Sequence, residues 1–260
     1  MKNIIRRILE KFSRGVVLKR KLPVRFGGLA MLVTPEASLC YWKAFSSNNW
    51  DDLFRFADGY VKEGDIVYDV GANLGVFAVC AAIRTGPTGR VYAFEPDPVT
   101  SSLIQRTKDL HPGKLDHLLV IPVGVSNHNG FSVLQVPERA RACAHLSEAK
   151  GGAGTELMGK VRQKIQVPLV TLDSKIGEYG LPDVLKIDVD GAEHLVIEGA
   201  LQLFSKSSPR VLIEVRDRNQ KELTKIFHNK GYTLYNFDDP SESKEAIQST
   251  VYNTLALPGK

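Results

Sequence analysis

The sequence predicts an α/β fold with an open, mostly parallel β-sheet, and three observations support this prediction. A β-rich run at residues 66–70 leads into the glycine loop G-A-N-L-G at 71–75. The apolar run 76–83 that follows suits a helix packed on a sheet. A second β-prone run ends on the carboxylate of Glu95, about 20 residues beyond the loop. These elements form a nucleotide-type binding unit.

The glycine loop predicts close contact between the backbone and a cofactor. Gly71 allows a left-handed or crowded backbone at the end of the first strand. Gly75 lets the first helical turn, with its free N–H groups, approach a ligand closely. We therefore expect four loop residues to contact the cofactor, namely Gly71, Ala72, Asn73 and Gly75.

Two carboxylates beside the loop narrow the type of cofactor. Glu95, followed by Pro96, is placed to accept hydrogen bonds from both hydroxyls of a ribose. Asp69, immediately before the loop, would repel a pyrophosphate but suits an ammonium group. The loop also lacks the G-x-G-x-x-G glycine that admits a pyrophosphate. The pattern favours an amino-acid-bearing nucleoside such as S-adenosylmethionine, and a nicotinamide-dinucleotide-dependent oxidoreductase is the alternative.

Four motifs occur in order along the chain: D-V-G-A-N-L-G, F-E-P, V-T-L-D and L-K-I-D-V-D-G-A-E. Together they resemble the FkbM family of S-adenosylmethionine-dependent methyltransferases over roughly residues 22–215, and the last motif is the most specific to that family. Asp190 stands where the family more often has Glu. The resemblance implies a class I, Rossmann-like fold with a seven-stranded, mostly parallel sheet and helices on both faces.

A basic amphipathic helix is predicted ahead of this fold, at residues 2–14. Its apolar face is formed by Ile5, Ile8, Leu9 and Phe12. We expect this face to dock on the catalytic domain or on a second subunit, and peripheral contact with a membrane surface is the alternative.

Short β-prone pieces and an aromatic-rich segment, residues 38–61, separate that helix from the first strand of the binding unit. We expect the β-prone pieces to form a small antiparallel appendage and most of the aromatic side chains to be core. The chain is thereby divided into an N-terminal appendage, residues 1–60, and a methyltransferase domain, residues 61–260.

Beyond Glu95, the pair Asp97-Pro98 predicts the start of a helix, and a third strand is expected at 118–123. By resemblance to class I methyltransferases, the residues that follow this strand lie near the adenine: Val125, Ser126 and Asn127. Extended segments then flank a glycine-containing insert, residues 137–163, which we expect to be mobile and to cover the substrate.

The fourth strand, residues 183–190, carries the candidate catalytic groups. Methyl transfer to a hydroxyl requires an aligned acceptor and removal of its proton. A carboxylate at the carboxyl edge of this strand suits both tasks, so Asp188 is the expected general base or acceptor-orienting group, supported by Asp190 and Glu193. The alternative is that these carboxylates only cap the next helix or form ion pairs. His194 is expected to be structural.

A binding site for a divalent metal is a less favoured interpretation of the carboxyl edge of the sheet. Asp188 and Glu214 end neighbouring predicted strands, and such oxygen ligands can hold a cation that binds an acceptor hydroxyl. The family resemblance implies no metal. Two further strands are expected at 232–237 and 251–257.

Composition excludes several classes of protein. The net charge of +5 is concentrated in residues 1–25, which contain nine Lys or Arg and one acidic residue, so the body of the chain lacks the basic face of a nucleic-acid-binding protein. No run is long enough to span a bilayer, and we expect a cytoplasmic protein. Three isolated cysteines indicate neither disulfides nor a zinc site.

The expected reaction is O-methylation of a hydroxyl on a sugar, a glycan or a secondary metabolite, because the resemblance supplies that class of acceptor. A non-catalytic module that only binds the cofactor is the alternative from another class of protein. The sequence leaves open the identity of the acceptor, the choice between oxygen and nitrogen, and the oligomeric state, including a homo-oligomer.

Overall fold

The computed structural model of the protein describes residues 9–45, 50–149, 159–239, 241 and 245–259. Its α-helices are α1 (Asp51–Tyr60), α2 (Val76–Thr85), α3 (Pro98–Asp109), α4 (Ile176–Tyr179), α5 (Glu193–Glu198), α6 (Leu201–Lys206) and α7 (Asp217–Asn229). Its strands are β1 (Leu18–Lys21), β2 (Ala30–Val33), β3 (Ile66–Val70), β4 (Arg90–Phe94), β5 (Leu118–Ile121), β6 (Gly124–Val125), β7 (Gly130–Pro137), β8 (His145–Leu146), β9 (Val161–Val170), β10 (Val184–Ile187), β11 (Arg210–Glu214), β12 (Tyr232–Asn236), β13 (Ala246–Ile247) and β14 (Asn253–Pro258).

The central sheet runs in the order β13-β12-β14-β11-β10-β3-β4-β5. The strands from β11 to β5 are all parallel, whereas β14 is antiparallel to both of its neighbours. In the described part of the chain this sheet has eight strands, one more than the seven expected, and the two-residue β13 lies at its edge. The α/β fold class with a mostly parallel sheet is therefore confirmed.

Both faces of this sheet are covered by helices, as expected. Adjacent residues of a strand point to opposite faces of the sheet and so lie in different apolar cores. Val67 of β3 and Leu212 of β11 lie in the core with α1, α2 and α3. Tyr68 and Ile213 lie in the core with α5, α6 and α7. Because both faces are buried, the central strands are apolar runs rather than alternating polar and apolar sequences.

The order of the strands fixes the position of the site. β3 pairs with β4 on one side and with β10 on the other. Strands β4 and β5 are therefore added on one side of β3, and the later strands β10 and β11 on the other, so the strand order reverses at β3. In open α/β sheets, the crevice at such a reversal lies beyond the carboxyl ends of the strands and binds the ligand. The glycine loop follows β3 and Asp188 follows β10, so both lie at this crevice.

A second, four-stranded sheet lies in the segment between β5 and α4, in the order β6-β9-β7-β8. Its main pair, β7 and β9, is antiparallel and flanks the insert, while β6 is parallel to β9. The expectation of a mobile insert does not hold for its described part. There β7 extends to Pro137, a 3₁₀ turn spans Arg141–Cys143, and β8 pairs with β7. Residues 150–158 of the insert lie outside the described residues.

The N-terminal appendage contains an antiparallel β1–β2 pair that packs on the main domain. The N–H of Leu32 donates a 2.9 Å hydrogen bond to Thr107 Oγ1 in α3. Phe26 and Met31 share one apolar core with α1 and α2. Most aromatic side chains of the segment before β3 are buried, as expected: Tyr41, Phe45, Trp50, Phe54 and Phe56. The appendage and the main domain are thus joined by a continuous core.

Of the predicted N-terminal helix, residues 1–8 lie outside the described residues, including Ile5 and Ile8. Residues 9–12 are helical, but the side chains of Leu9 and Phe12 are 46% and 76% exposed. The segment is instead attached by polar contacts: Arg139 donates to Glu10 at 2.8 Å, and Trp42 Nε1 donates to Ser13 Oγ at 3.2 Å. In the described residues, no helix combines the length and apolarity that a membrane span requires.

Candidate active site

A cleft of about 690 Å³ lies between the carboxyl ends of β3, β4 and β10 and the second sheet. The main sheet supplies backbone and acidic side chains, and the insert supplies a wall on the opposite side. The lining residues used below are Gly71, Asn73, Glu95, Pro96, Asp97, Gly124, Val125, Arg141, His145, Asp188 and Asp190. We refer to this space as the cofactor cleft.

The glycine loop lies against the end of β10 more closely than any side chain would allow. A Cβ atom on Gly71, whose φ is +77°, would stand 1.9 Å from the carbonyl oxygen of Asp188. Gly71 and Asn73 line the cleft, whereas Ala72 and Gly75 are absent from its described lining. The structure thus places two of the four predicted loop residues, Gly71 and Asn73, at this cleft.

Glu95 is held at the end of β4 by two backbone groups. Its Oε2 accepts a 2.6 Å hydrogen bond from the N–H of Asn73, and its Oε1 accepts one of 2.9 Å from the N–H of Asp97. Burial raises the pKa of Glu95 to about 7, against the lowering effect of these N–H groups. Each carboxylate oxygen has a second lone pair. The Thr100 hydroxyl is within reach of this carboxylate but can donate instead to the carbonyl oxygen of Asp97, at 3.2 Å. Glu95 can thus accept two further hydrogen bonds from a ligand.

Asp69 does not have the predicted position beside the cofactor. Its side chain is fully buried, and Lys186 Nζ lies 3.1 Å from its Oδ1 and 3.3 Å from the carbonyl oxygen of Gly71. Burial alone would lower the pKa of Lys186, but the carboxylates of Asp69 and Asp188 raise it. The ammonium group predicted to lie beside Asp69 is therefore that of Lys186 and not that of a cofactor. The ion pair anchors the glycine loop to β10.

Sequence reasoning missed the arginine that closes the cleft from the insert side. Arg141 is 5% exposed, and its Nη1 donates to both carboxylate oxygens of Asp97, at 2.7 and 2.6 Å. Its Nε also donates to Glu36 of the appendage at 3.0 Å. Nothing in the irregular sequence of the insert identified this residue. His145 lines the same wall, and its Nδ1 lies 3.2 Å from the carbonyl oxygen of Cys143.

The expected adenine-binding residues divide into two groups. The described lining of the cofactor cleft includes Gly124 and Val125 but neither Ser126 nor Asn127. The Ser126 hydroxyl donates to Glu148 at 3.3 Å, and Asn127 Nδ2 donates to Glu198 at 2.7 Å. The prediction that Ser126 and Asn127 face the cofactor is corrected by this geometry, since the chain has already left the main sheet and entered β6.

Asn127→Ala is therefore expected to leave the Kd for the cofactor within about twofold of the original value. The substitution removes two exposed hydrogen bonds, one to Glu198 and one between Asn127 Oδ1 and His128 Nδ1, and each contributes about 1 kcal/mol or less to stability. Isothermal titration calorimetry with the cofactor checks the Kd, and thermal unfolding checks the stability. A tenfold loss of affinity would restore Asn127 to the binding site.

Asp188 is the exposed carboxylate at the end of β10. Its side chain is 45% exposed, and Lys186 Nζ lies 3.6 Å from its Oδ2. It lines the cofactor cleft and also a second cleft on the other side of β10. Of the three predicted catalytic residues, Asp188 alone lies in both spaces in the part of the chain that is described.

The two supporting carboxylates have mainly structural environments. Asp190, with φ +51°, lines the cofactor cleft but is buried, and Arg216 donates to its Oδ1 at 2.9 Å. Glu193 is fully buried and accepts hydrogen bonds of 2.7 Å from the N–H of Gly191 and from Asn219 Nδ2. The prediction that Glu193 supports catalysis is corrected: it holds the turn after β10 and lines neither cleft in the described chain. His194, in the first turn of α5, is also buried.

The second cleft, of about 670 Å³, opens at the ends of β10 and β11 and at the start of β14. Its polar residues include Asp188, Glu214, Tyr252 and Asn253, and Trp50 and Phe237 are among its apolar residues. Burial and the charge of Asp188 raise the pKa of Glu214 to about 8. The described residues contain no group of three His, Cys, Asp or Glu side chains arranged to hold a metal ion, so the minority metal interpretation gains no support.

The sheet order, the close-packed glycine loop and the acidic residue at the end of β4 together define a Rossmann-like fold of the class I methyltransferase type. The family model described as Methyltransferase FkbM domain matches residues 69–234, which is more than half of the chain. The chain therefore belongs to the FkbM family of S-adenosylmethionine-dependent methyltransferases. Nothing in these comparisons supports the dinucleotide-dependent alternative.

Two curated relatives illustrate the range of the family. The chain is 25% identical over 204 residues to the hexuronic acid methyltransferase AglP of Haloferax volcanii, covering 76% of each chain. It is 26% identical over 201 residues to the 31-O-demethyl-FK506 methyltransferase FkbM of Streptomyces tacrolimicus, covering 69% of this chain and 77% of that protein.

Among solved structures, the methyltransferase FkbM of Methylobacillus flagellatus is similar at 15% identity and a TM-score of 0.48. The similarity covers 74% of this chain and 43% of that protein, so the chain spans less than half the length of this relative.

Proposed function

We propose that the protein transfers a methyl group from S-adenosylmethionine to a hydroxyl oxygen of a sugar, glycan or secondary-metabolite acceptor. The observation that carries this proposal is the position of Asp188, an exposed carboxylate shared by two adjoining clefts. A donor bound in the first cleft and an acceptor bound in the second would meet at this residue. Such a shared group is what an in-line transfer between two bound molecules requires.

The residues of the first cleft fit S-adenosylmethionine. Glu95 is fixed by two backbone N–H groups and retains lone pairs for the two hydroxyls of the ribose. Among the described residues, Asn73 Oδ1 is buried without a hydrogen-bond partner, so a donor on the ligand would satisfy it. Gly71 supplies backbone close to the ligand, and Val125 supplies an apolar surface for the adenine. When bound, the cofactor supplies an electrophilic methyl group on a sulfonium.

Asp188 would perform the remaining chemistry as a general base. Its carboxylate accepts the proton of the acceptor hydroxyl while the oxygen forms its bond to the methyl group. Because its side chain is 45% exposed, the proton can pass from Asp188 to solvent afterwards. Lys186, held by Asp69, fixes the carboxylate from the buried side. The leaving group is a neutral thioether and needs no acid.

The names of the relatives support an oxygen acceptor and define the competing possibility. One relative is a hexuronic acid methyltransferase and another acts on a 31-O-demethyl compound. Methylation of a carboxylate would form an ester and need no general base. Methylation of a hydroxyl forms an ether and uses the base. The placement of Asp188 favours the ether.

A radiolabelled methyl donor distinguishes these products. We expect labelling of hydroxylated sugars, glycosides or related metabolites, with label that resists mild alkali. Esters release labelled methanol under that treatment, whereas ethers do not. Alkali-labile label would reject hydroxyl methylation, preferential labelling of an amine would reject O-methylation, and tight cofactor binding without any turnover would support the non-catalytic module.

A further inference from the structure

The second cleft carries an inference about the charge of the acceptor, and this inference rests on the proposed function. We propose that the second cleft binds the acceptor and selects hydroxyl-rich molecules that bear no negative charge near the reacting oxygen. Glu214 is the residue that determines this specificity. The cleft begins at Asp188 and continues past Glu214 and Asn253, which are paired across β11 and β14.

The charges that face the cleft are mainly negative. Its described lining contains three carboxylates, Asp52, Asp188 and Glu214, and one ammonium, Lys186. The ammonium is buried and lies 3.1 Å from Asp69 and 3.6 Å from Asp188, so it is already neutralised by two carboxylates. Asp52 is itself paired with Arg55 at 2.6 Å, and Glu214 ionises fully only above pH 8. Near neutral pH an anionic acceptor would therefore meet chiefly the charge of Asp188, with no free cation in the described lining to balance it.

The guanidinium of Arg216, beside Glu214 and Tyr252, is also engaged by acidic groups of the protein. Arg216 Nη2 lies 2.9 Å from Glu214 Oε1 and 2.9 Å from Asp190 Oδ1, and the guanidinium stacks on the ring of Tyr252 at 5.2 Å. A single nitrogen, Nη2, makes both contacts, so the charge of Arg216 is shared between two of the protein's own acidic groups. A uronate would have to compete with these two groups for the charge of Arg216.

Glu214 is suited to hydrogen bonding with a neutral hydroxyl. Tyr252 donates a 2.5 Å hydrogen bond to its Oε1, and burial raises the pKa of Tyr252, so the phenol keeps its proton. Near neutral pH the Glu214 carboxyl carries a proton for much of the time, because its pKa is raised to about 8. As pH rises through 8, Glu214 ionises and adds a second negative charge beside Asp188.

The apolar residues of the second cleft favour an acceptor with an apolar face. Trp50, Leu53 and Phe237 form part of its lining, beside the carboxylates. A ring that has apolar C–H faces and a rim of hydroxyls matches such a mixed surface better than a small ion does. A neutral pyranose has this character.

The test compares matched pairs of methyl glycosides and methyl glycosiduronates of glucose, galactose and mannose, which differ only in the group at C6. Binding is measured by ligand-observed NMR with the protein saturated in S-adenosylhomocysteine, and transfer is measured with labelled S-adenosylmethionine. We expect at least one neutral sugar to bind and be labelled, about tenfold or more in preference to its uronate. This comparison uses the unmodified protein and does not depend on the folding of a variant.

A pH series then identifies the residue responsible. Glu214 is faced by six charged or titratable groups: Asp188, Asp190, Lys186, Arg216, Tyr252 and Cys143. The uronates are ionised at both pH 6 and pH 9, so ionisation of Glu214 should make the preference for the neutral sugar greater at pH 9. In Glu214→Gln, the preference should be equal at the two pH values. An unchanged pH dependence in this variant would overturn the role of Glu214.

The outcomes separate this proposal from the methyltransferase function itself. Equal or tighter binding of the uronates would overturn the charge selection. Failure of every neutral sugar to bind or accept label, with cofactor binding intact, would overturn the acceptor class and leave the methyltransferase function standing. Failure to bind the cofactor and to label any acceptor would instead reject the function proposed above.

Discussion

Replacing Asp188 with asparagine is expected to lower kcat about a hundredfold to ten-thousandfold while leaving the cofactor Kd within about twofold. The amide has the shape of the carboxylate but cannot accept the proton of the acceptor hydroxyl. The ion pair between Asp69 and Lys186 remains, so the glycine loop should keep its position. Single-turnover transfer of labelled methyl measures the chemical step, and calorimetry measures the Kd.

A matched control is available at the opposite end of β10. Asp183 precedes β10 at its amino end, where its Oδ2 accepts a 2.9 Å hydrogen bond from the N–H of Ile66. Asp183→Asn makes the same chemical change far from the crevice, and its single-turnover rate should match that of the original protein. If Asp188→Asn also retains full turnover, Asp188 has a structural role and another group must take the proton.

The positions of Glu95 and Asp188 could be predicted because each depends on local sequence. Each residue comes directly after a buried strand, and parallel strands present their carboxyl ends at one edge of the sheet. The glycine loop was predictable for the same reason. Gly71 meets the backbone of Asp188 where β3 and β10 pair, and only the absence of a side chain permits that contact.

Partners that are distant in sequence could not be predicted. Asp69 was assigned to the cofactor because its carboxylate precedes the loop, but its cation, Lys186, lies 117 residues further along. Arg141 reaches Asp97 from 44 residues away and from a segment without regular periodicity. An isolated carboxylate or guanidinium in a sequence carries no local sign of which opposite charge will neutralise it.

The second sheet explains the error at the predicted adenine site. The third strand was expected to continue to residue 123, but pairing with β4 ends at Ile121. The next residues form β6, which pairs with β9 more than 40 residues later, Gly124 opposite Leu169. That pairing turns Ser126 and Asn127 toward other partners, and strand pairing across such a separation has no signature in local composition.

The second large effect is expected at Glu95, where substitution by alanine should weaken cofactor binding roughly tenfold to a hundredfold. Two hydroxyl contacts are lost, at about 1 kcal/mol or more each. Calorimetry with S-adenosylhomocysteine measures the loss without turnover. Asn127→Ala, expected to change the Kd less than about twofold, is the comparison for a polar residue outside the described lining of the cleft. Thermal unfolding verifies that both variants are folded.

The pH dependence of binding tests Glu95 more specifically. Its pKa of about 7 in the free protein means that the carboxylate is ionised above neutral pH. Ribose hydroxyls donate more strongly to the ionised form, so the affinity should be highest above pH 7 and should fall as the pH drops through 7, by up to about tenfold per unit. Glu95→Gln retains the shape of the side chain but cannot titrate. Subtracting the pH profile of the variant's cofactor affinity from that of the original protein removes the contribution of the ligand's own titration. If the difference does not change with pH, Glu95 does not hold the ribose.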